Sequence, residues 1–156
     1  MGDFTLALRS HQHALDIRLK LFGEDHASTA DCHCSMGNTQ CEVNDYTSAL
    51  QSHHIRRKRF GEIHAETAVS LYSLGITQME MGDITSDLQS HRHKLDIRLK
   101  LFEEKHASTA DSYYFLGITQ YKMDNFSSAL QSHLCALRIR LELLGEEHVR
   151  TANSYF

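Results

Sequence analysis

The chain repeats itself with a period of 42 residues, and this periodicity restricts the fold more than any other feature of the sequence. Residues 64–105 are identical to residues 106–147 at 23 of 42 positions. Residues 1–31 match residues 81–111 at 23 of 31 positions, an offset of 80 that makes one intervening repeat four residues short. A fixed period of this size is typical of a solenoid, in which each unit packs on its neighbours.

Each repeat is predicted to hold two α-helices. Apolar and aromatic residues recur every three or four positions over Ser108–Met123 and over Asn125–Leu144, the spacing of a helix face. The chain has no proline, which suits a mostly helical fold. Asp or Asn opens every second helix as an N-cap, and glycine follows three of them as a C-cap. The N-caps are Asp3, Asp45, Asp83 and Asn125, and the C-caps are Gly23, Gly61 and Gly145.

The short repeat is predicted to lose one turn of its second helix. Residues 91–97 are reduced there to His53-His54-Ile55. Four residues exceed one full helical turn by only about 40°, so the apolar face stays in place and the fold stays intact.

Two further positions carry expectations about packing. Gly37, Gly75 and Gly117 lie in mid-helix at equivalent positions, which predicts a close approach of two helices there. Asp87 and Lys94 replace alanines of the other repeats. A buried charge is costly unless it is paired, so we expect looser packing in that unit.

The repeated motifs resemble those of tetratricopeptide repeats. The matching residues are Leu74-Gly75, Gly82-Asp83-Ile84, Leu116-Gly117, Asp124-Asn125-Phe126, Ala129 and Ala136-Leu137. The period is similar to the long-helix subtype of kinesin light chains and nephrocystin-3-like proteins, and the resemblance covers the whole chain. It implies an all-α, right-handed superhelix, a solenoid of antiparallel helix pairs with about seven helices and a partial one at the C-terminus. The usual His-Pro of that subtype is replaced at Ala27, Ala65, Ala107 and Val149.

The repeat boundaries divide the chain into one array. We expect a half repeat over 1–25, a short repeat over 26–63, full repeats over 64–105 and 106–147, and a partial repeat over 148–156. Because solenoids need polar capping helices, this pattern predicts a fragment of a longer array. Leu8, Leu15 and Phe22 are then expected to lack a partner helix.

The resemblance also implies that the first helix of each pair lines a concave groove. One stripe of these helices varies between repeats while the packing positions recur, which favours a binding surface for a protein or peptide; tolerated surface variation is the alternative. Tyr72, Tyr114 and Tyr121 are candidate aromatic anchors. The stripe comprises Asp31, Cys34, Asn38, Cys41, Val69, Tyr72, Ile76, Met79, Asp111, Tyr114, Ile118, Tyr121 and Lys122.

The relatives that hold a peptide's C-terminal carboxylate use Lys and Asn on the first helix. The corresponding positions here contain Cys34, Tyr72 and Tyr114, followed by Asn38, Ile76 and Ile118. A single Asn does not form that clamp, so binding of chaperone tails is disfavoured. A second hypothesis for the whole chain is a self-association or spacer segment of a larger multidomain signalling protein, with self-association through the uncapped ends of the array.

The sequence indicates neither an enzyme nor a metal or cofactor site. Catalytic and nucleotide-binding motifs are absent. His11 and His13 point about 200° apart on a helix, as do His91 and His93, so neither pair can chelate one ion. Cys32-His33-Cys34 with Cys41 lacks the ligand spacing of zinc ribbons.

A net charge of −4 argues against binding to nucleic acid or to an anionic membrane. Without a signal peptide or an apolar span, we expect a cytoplasmic protein with reduced cysteines. The recurring His26, His64, His106 and His148 are expected near helix starts, and His11, His53, His91 and His133 at packing positions. The run Arg56–Arg59 is interpreted as a solvated helix face, with a targeting signal as the alternative.

Overall fold

The computed structural model describes residues 4–155, and in this range all regular secondary structure is α-helical. Each pair of helices is joined by a short turn, and each helix packs mainly on its neighbours in the sequence. The helices are α1 (Phe4–Phe22), α2 (Ala27–Glu42), α3 (Tyr46–Phe60), α4 (Ala65–Glu80), α5 (Ile84–Leu101), α6 (Ala107–Lys122), α7 (Phe126–Leu144) and α8 (Val149–Ala152). The predicted all-α solenoid of helix pairs is confirmed.

The second helix of each pair begins at the predicted cap. The side-chain oxygens of Asp45, Asp83 and Asn125 accept hydrogen bonds from the backbone N–H three residues later, at 3.2, 3.0 and 3.3 Å. These bonds satisfy N–H groups that have no partner within the helix. Asp3, the fourth predicted cap, lies outside the described residues. The glycines after α1, α3 and α7 have φ near +80°, a backbone conformation that favours glycine.

The first helices are capped by histidine. Nδ1 of His26, His64, His106 and His148 accepts a hydrogen bond from the N–H two residues later, at 3.1–3.2 Å. Three of these rings also stack on a phenylalanine four residues earlier, with centroid distances of 4.5, 4.8 and 4.1 Å. Their recurrence at helix starts therefore has a structural cause that the sequence pattern only located.

The shortened helix is confirmed. Helix α3 has 15 residues, whereas α1, α5 and α7 have 19, 18 and 19. Arg56 of α3 nevertheless makes the same contact to the following helix as Arg140 of α7, because each donates to the backbone oxygen ten residues later. The lost turn therefore leaves the helix face in register.

The predicted close approach at the mid-helix glycines is also confirmed. A β-carbon at Gly37 or Gly117 would lie 2.7 Å from the ring of His53 or His133. At Gly75 the nearest atom would be an Asp87 oxygen, also at 2.7 Å. The histidines at this position therefore pack against the backbone of the partner helix, as predicted.

The expectation of looser packing around Asp87 and Lys94 stays a prediction, because this unit holds both a buried core cluster and a cavity lined by Lys94. The same unit contains the core cluster of Ala68, Leu71, Leu74 and Ile97, each no more than 2% exposed. Asp87 is fully buried: one oxygen accepts a hydrogen bond from Thr119, and the other lies 3.0 Å from Nε2 of His91 without a hydrogen bond in the described chain.

The predicted exposure of α1 is only partly correct. Phe22 is 53% exposed, but Leu15 is 5% exposed and belongs to the core. Leu8 is half-buried. Leu15 is covered because α1 packs along α2, so one side of α1 has a partner helix within the chain.

Candidate functional site

The start of the predicted groove stripe is occupied by ion pairs between helices. Asp31 of α2 lies 3.2 Å from Arg56, and Asp111 of α6 lies 2.8 Å from Arg140. Arg56 also pairs with Glu66. Both arginines are only 5% exposed. The interpretation of Arg56 as part of a solvated face is therefore wrong, because its guanidinium is held between α2 and α4.

The far end of the stripe joins successive first helices. Thr77 donates to the Cys41 sulfur at 3.7 Å, and Lys122 donates to the Met79 sulfur at 2.7 Å. Tyr121 is 62% exposed and its ring packs edge-on against Phe126. These residues contact the neighbouring helices, whereas Asn38 is exposed and Ile76 half-buried.

The middle of the stripe carries two aromatic anchors held by cations. Lys94 Nζ lies 4.7 Å from the ring centroid of Tyr72. The guanidinium carbon of Arg140 lies 4.8 Å from the ring centroid of Tyr114. Phe115 packs against both tyrosines, at 4.7 and 5.6 Å. Burial raises the pKa of Tyr72, with a smaller contribution in the same direction from the charge of Asp111. Cation–π contacts of this kind fix the ring orientation.

Two adjoining cavities surround these rings. The first, of about 250 Å³, lies between α4, α5 and α6, and the second, of about 220 Å³, lies between α6, α7, α8 and Asn153. They share Asp111 and Phe115 as a common wall. We call the two together the tyrosine groove. Its other lining residues are Ala68, Val69, Tyr72, Lys94, Arg98, Ser108, Ser112, Tyr114, Arg140, Arg150 and Asn153.

Of the thirteen predicted groove residues, the structure brings four into the tyrosine groove. These are Val69, Tyr72, Asp111 and Tyr114. Lys94, Arg98 and Phe115 complete it, and sequence reasoning missed them as site residues. In the sequence, Lys94 stands out only because it replaces the alanine of other repeats by a charged residue. That substitution was the available signal, but the sequence does not show that α5 places the ammonium beside first-helix residues.

A larger, apolar cavity lies on α6 and α7. It has a volume of about 820 Å³ and includes Tyr114, Ile118, Tyr121 and Lys122 of the predicted stripe. Its floor is formed by second-helix residues, of which Phe126, Leu130 and Leu134 are 53–60% exposed. We call these three residues the α7 apolar face.

Metal sites, disulfides and membrane spans are the other features of the described part of the chain that bear on its function. Within residues 4–155, no three His, Cys, Asp or Glu side chains are grouped so that they could hold a metal ion. The four cysteines are free thiols, and burial raises the pKa of Cys34. No helix in this range is long and apolar enough to cross a membrane.

Comparison with known families agrees with the helix pairs described above. Two family profiles, both described as tetratricopeptide repeat, match residues 1–54 and residues 109–150. The chain belongs to the tetratricopeptide-repeat family. No curated protein sequence matches this tetratricopeptide array.

Several solved structures share the fold of this chain at low sequence identity. BtubC (BKLC) from P. vanneervenii superposes with a TM-score of 0.83 at 14% identity, covering 99% of this chain and 64% of BtubC. The nearly identical TPR-like repeats of a Podosopora anserina protein named as a kinesin light chain give 0.82 at 15% identity, covering 98% and 74%. MamA gives 0.64 at 17% identity, covering 99% and 78%. The chain thus spans less than two thirds of BtubC.

Proposed function

We propose that this tetratricopeptide array is a protein-interaction scaffold without catalysis of its own, and that a peptide or partner segment binds in the tyrosine groove. The family and fold support the role of scaffold. The pair of neighbouring cavities along α6 carries the finer proposal, because the two share Asp111 and Phe115 and each is lined by a tyrosine ring. The expected cytoplasmic location remains a prediction.

The tyrosines suit such a role because they are both accessible and held in place. Tyr72 and Tyr114 are half-buried, and each ring is fixed by a cation and by Phe115. Partly exposed aromatic residues in depressions dominate the affinity of many interfaces. Rings that are already ordered lose little conformational entropy when a partner binds.

The test is selection of peptides from a phage-displayed random library on the purified chain, followed by affinity measurement of the selected peptides by fluorescence anisotropy. Tyr72→Leu and Tyr114→Leu should each weaken binding about tenfold, because they remove an anchor ring. Tyr121→Leu is the matched control, since Tyr121 lies outside the groove. Unchanged affinity in both groove variants, with unchanged helicity, would remove the groove from consideration.

The α7 apolar face supports a second candidate function, self-association of the array. Phe126, Leu130 and Leu134 are adjacent on one face of α7 and border the apolar cavity of about 820 Å³. Contiguous exposed apolar surface commonly marks an interaction site. If copies associate through it, sedimentation velocity should show a concentration-dependent oligomer that Leu134→Glu disperses. Leu143→Glu, at an exposed leucine outside the cavity, should leave the oligomer unchanged, and a wild-type chain that is monomeric at all concentrations would contradict the idea.

A further inference from the structure

The second helix of every repeat carries an arginine at the same position, and one of the four differs from the rest. Arg18, Arg56 and Arg140 each donate to the backbone oxygen ten residues later, at 2.6, 3.1 and 3.0 Å. Arg56 and Arg140 also hold the carboxylate of Asp31 or Asp111. Arg98, the remaining arginine, makes neither the backbone hydrogen bond nor the carboxylate pair with any residue in 4–155. Its guanidinium lies 5.5 Å from the centroid of the Phe102 ring.

Arg98 lacks these bonds because the residues around it differ from those around Arg56 and Arg140. Val69 occupies the position that Asp31 and Asp111 occupy in the adjacent repeats, and Ser108 occupies the position of Glu66. Both carboxylates that pair with Arg56 are therefore replaced by uncharged residues around Arg98. Val69, Ser108 and Arg98 all line the first cavity of the tyrosine groove.

A second cation lies in the same cavity. Lys94 is 5% exposed, and the equivalent residues Ala14 and Ala136 carry no charge. Its Nζ lies 4.7 Å from the ring centroids of both Tyr72 and Phe115. Within residues 4–155, no atom accepts a hydrogen bond from this ammonium. A buried ammonium without an acceptor is costly, so the arrangement favours an anionic guest.

The charges around Lys94 agree with this geometry. Burial, with a smaller contribution from the charge of Arg98, lowers its pKa to about 7, while the charges of Asp111 and Asp87 act in the opposite direction. Neither carboxylate accepts a hydrogen bond from the ammonium of Lys94 within residues 4–155. Asp111 is bound by Arg140 and Arg150 at 2.8 and 3.3 Å, and one oxygen of Asp87 accepts a hydrogen bond from Thr119.

We infer that the cavity between Lys94 and Arg98 binds the side-chain carboxylate of an Asp or Glu in a peptide lying in the tyrosine groove. The guest would supply what Asp31 and Glu66 supply to Arg56 in the preceding repeat. A cavity of about 250 Å³ has room for one acidic side chain, and the second cavity lies beside it across Asp111 and Phe115, where the rest of the peptide would lie. The inference rests on the proposed function and adds the chemical class of the ligand.

The first test uses defined small probes and is independent of any selected peptide. N-acetyl-glutamic acid amide, titrated into the ¹⁵N-labelled chain, should shift the amide resonances of Val69, Ser108 and Ser112, whereas N-acetyl-glutamine amide should not. Lys94→Ala should weaken this binding about tenfold, since a charge-assisted hydrogen bond is lost. Alanine is the native residue at the equivalent positions, so this variant is expected to fold. Lys58→Ala, at an exposed cation outside the groove, is the control.

The outcomes separate the possible sources of the anion. N-acetylglycine supplies a terminal carboxylate and inorganic phosphate supplies a dianion. Tighter binding of either probe than of the glutamic acid probe would overturn the assignment to an acidic side chain. Unshifted cavity resonances, or equal binding to the Lys94→Ala variant, would overturn the site itself.

The second test distinguishes this inference from the proposed function. Replacing each acidic residue of a groove-selected peptide by its amide should weaken binding to the wild-type chain but not to the Lys94→Ala variant. Peptides that bind through Tyr72 and Tyr114 with no such dependence would overturn the carboxylate site and leave the groove intact. If no peptide is selected, the proposed function fails, while the amino-acid titration still decides whether the site exists.

Discussion

The imidazole of His53 lies against the backbone of Gly37, so close that a β-carbon at Gly37 would be 2.7 Å from the ring carbon Cε1. His53 is fully buried, and both of its ring nitrogens lack a hydrogen-bond partner in the described chain. The same contact joins Gly117 and His133. The glycine and the histidine together set how closely the two helices of a repeat approach.

Gly37→Ala should destabilise the array. Alanine normally favours a helix over glycine by about 1 kcal/mol. Here the added methyl group meets a buried ring that has no free space, and overpacking of this kind costs about 1–3 kcal/mol. A lower thermal midpoint by circular dichroism would show it. In the background of His53→Ala the same change should become neutral or stabilising, and an equal loss in both backgrounds would contradict the steric explanation.

The stability of the chain should fall between pH 6.5 and about 4. Burial, with smaller contributions from the charges of Arg56 and His54, lowers the pKa of His53 from 6.5 to about 4. In this window the unfolded chain binds a proton that the folded chain does not, so acidification favours unfolding. One pKa unit corresponds to about 1.4 kcal/mol, which makes the loss up to about 3 kcal/mol.

The measurement is urea unfolding at pH 7 and pH 4.5 for the wild type and for His53→Leu. The variant should lose less stability on acidification than the wild type. Burial also lowers the pKa of His133 with the same sign, so a residual pH dependence is expected in the variant. An identical pH dependence in both proteins would show that His53 is protonated in the folded state.

Lys94→Ala should stabilise the unliganded array at neutral pH by about 1–3 kcal/mol. This net value combines the gain from removing a buried charge with the loss of the packing of the lysine methylene groups. The folded-state pKa of Lys94 is about 7, below its ordinary value of 10.5. Between these values the unfolded chain binds the extra proton, so wild-type stability rises with pH and the advantage of alanine shrinks. Chemical unfolding at pH 7 and pH 9.5 checks both points. A variant that is less stable at pH 7 would show that Lys94 supports the fold.

Arg140→Gln should cost more stability than Arg98→Gln, by about 2 kcal/mol. Arg140 donates to Asp111, to the Arg150 oxygen and to Ser154, and its loss leaves polar partners unsatisfied. Arg98 occupies the equivalent position but has no acceptor within residues 4–155. Thermal midpoints of the two variants give a direct comparison. Equal losses would mean that the interhelix ion pair contributes little.

Helix positions could be predicted from the sequence because the signals are local. A cap such as Asn125 and a period of three to four residues act within one helix, and 42-residue repetition multiplies each signal. The predicted second helix over Asn125–Leu144 is observed as Phe126–Leu144 with Asn125 as its cap. The recurrence of glycine at the position of Gly37 likewise indicates a close contact between helices. Glycine in mid-helix lowers helix stability, and close packing explains why it is retained.

The candidate site could be predicted only in part. The stripe was defined by first-helix spacing, so it includes Tyr72 and Tyr114 but also Cys41 and Met79, which contact neighbouring helices. It cannot include a second-helix residue such as Lys94. Spacing along one helix says nothing about which side chain of another helix projects beside it.

The sequence by itself determined the repeat, the helices and their caps, because these depend on residues within about one turn of each other. Only the tertiary structure decided the partners of the charges. Arg56, Arg98 and Arg140 are equivalent in sequence, yet their surroundings differ because residues 25 or more positions away supply or withhold a carboxylate. Coulombic and hydrogen-bond energies depend on distances through space, and those distances exist only once the helices have packed.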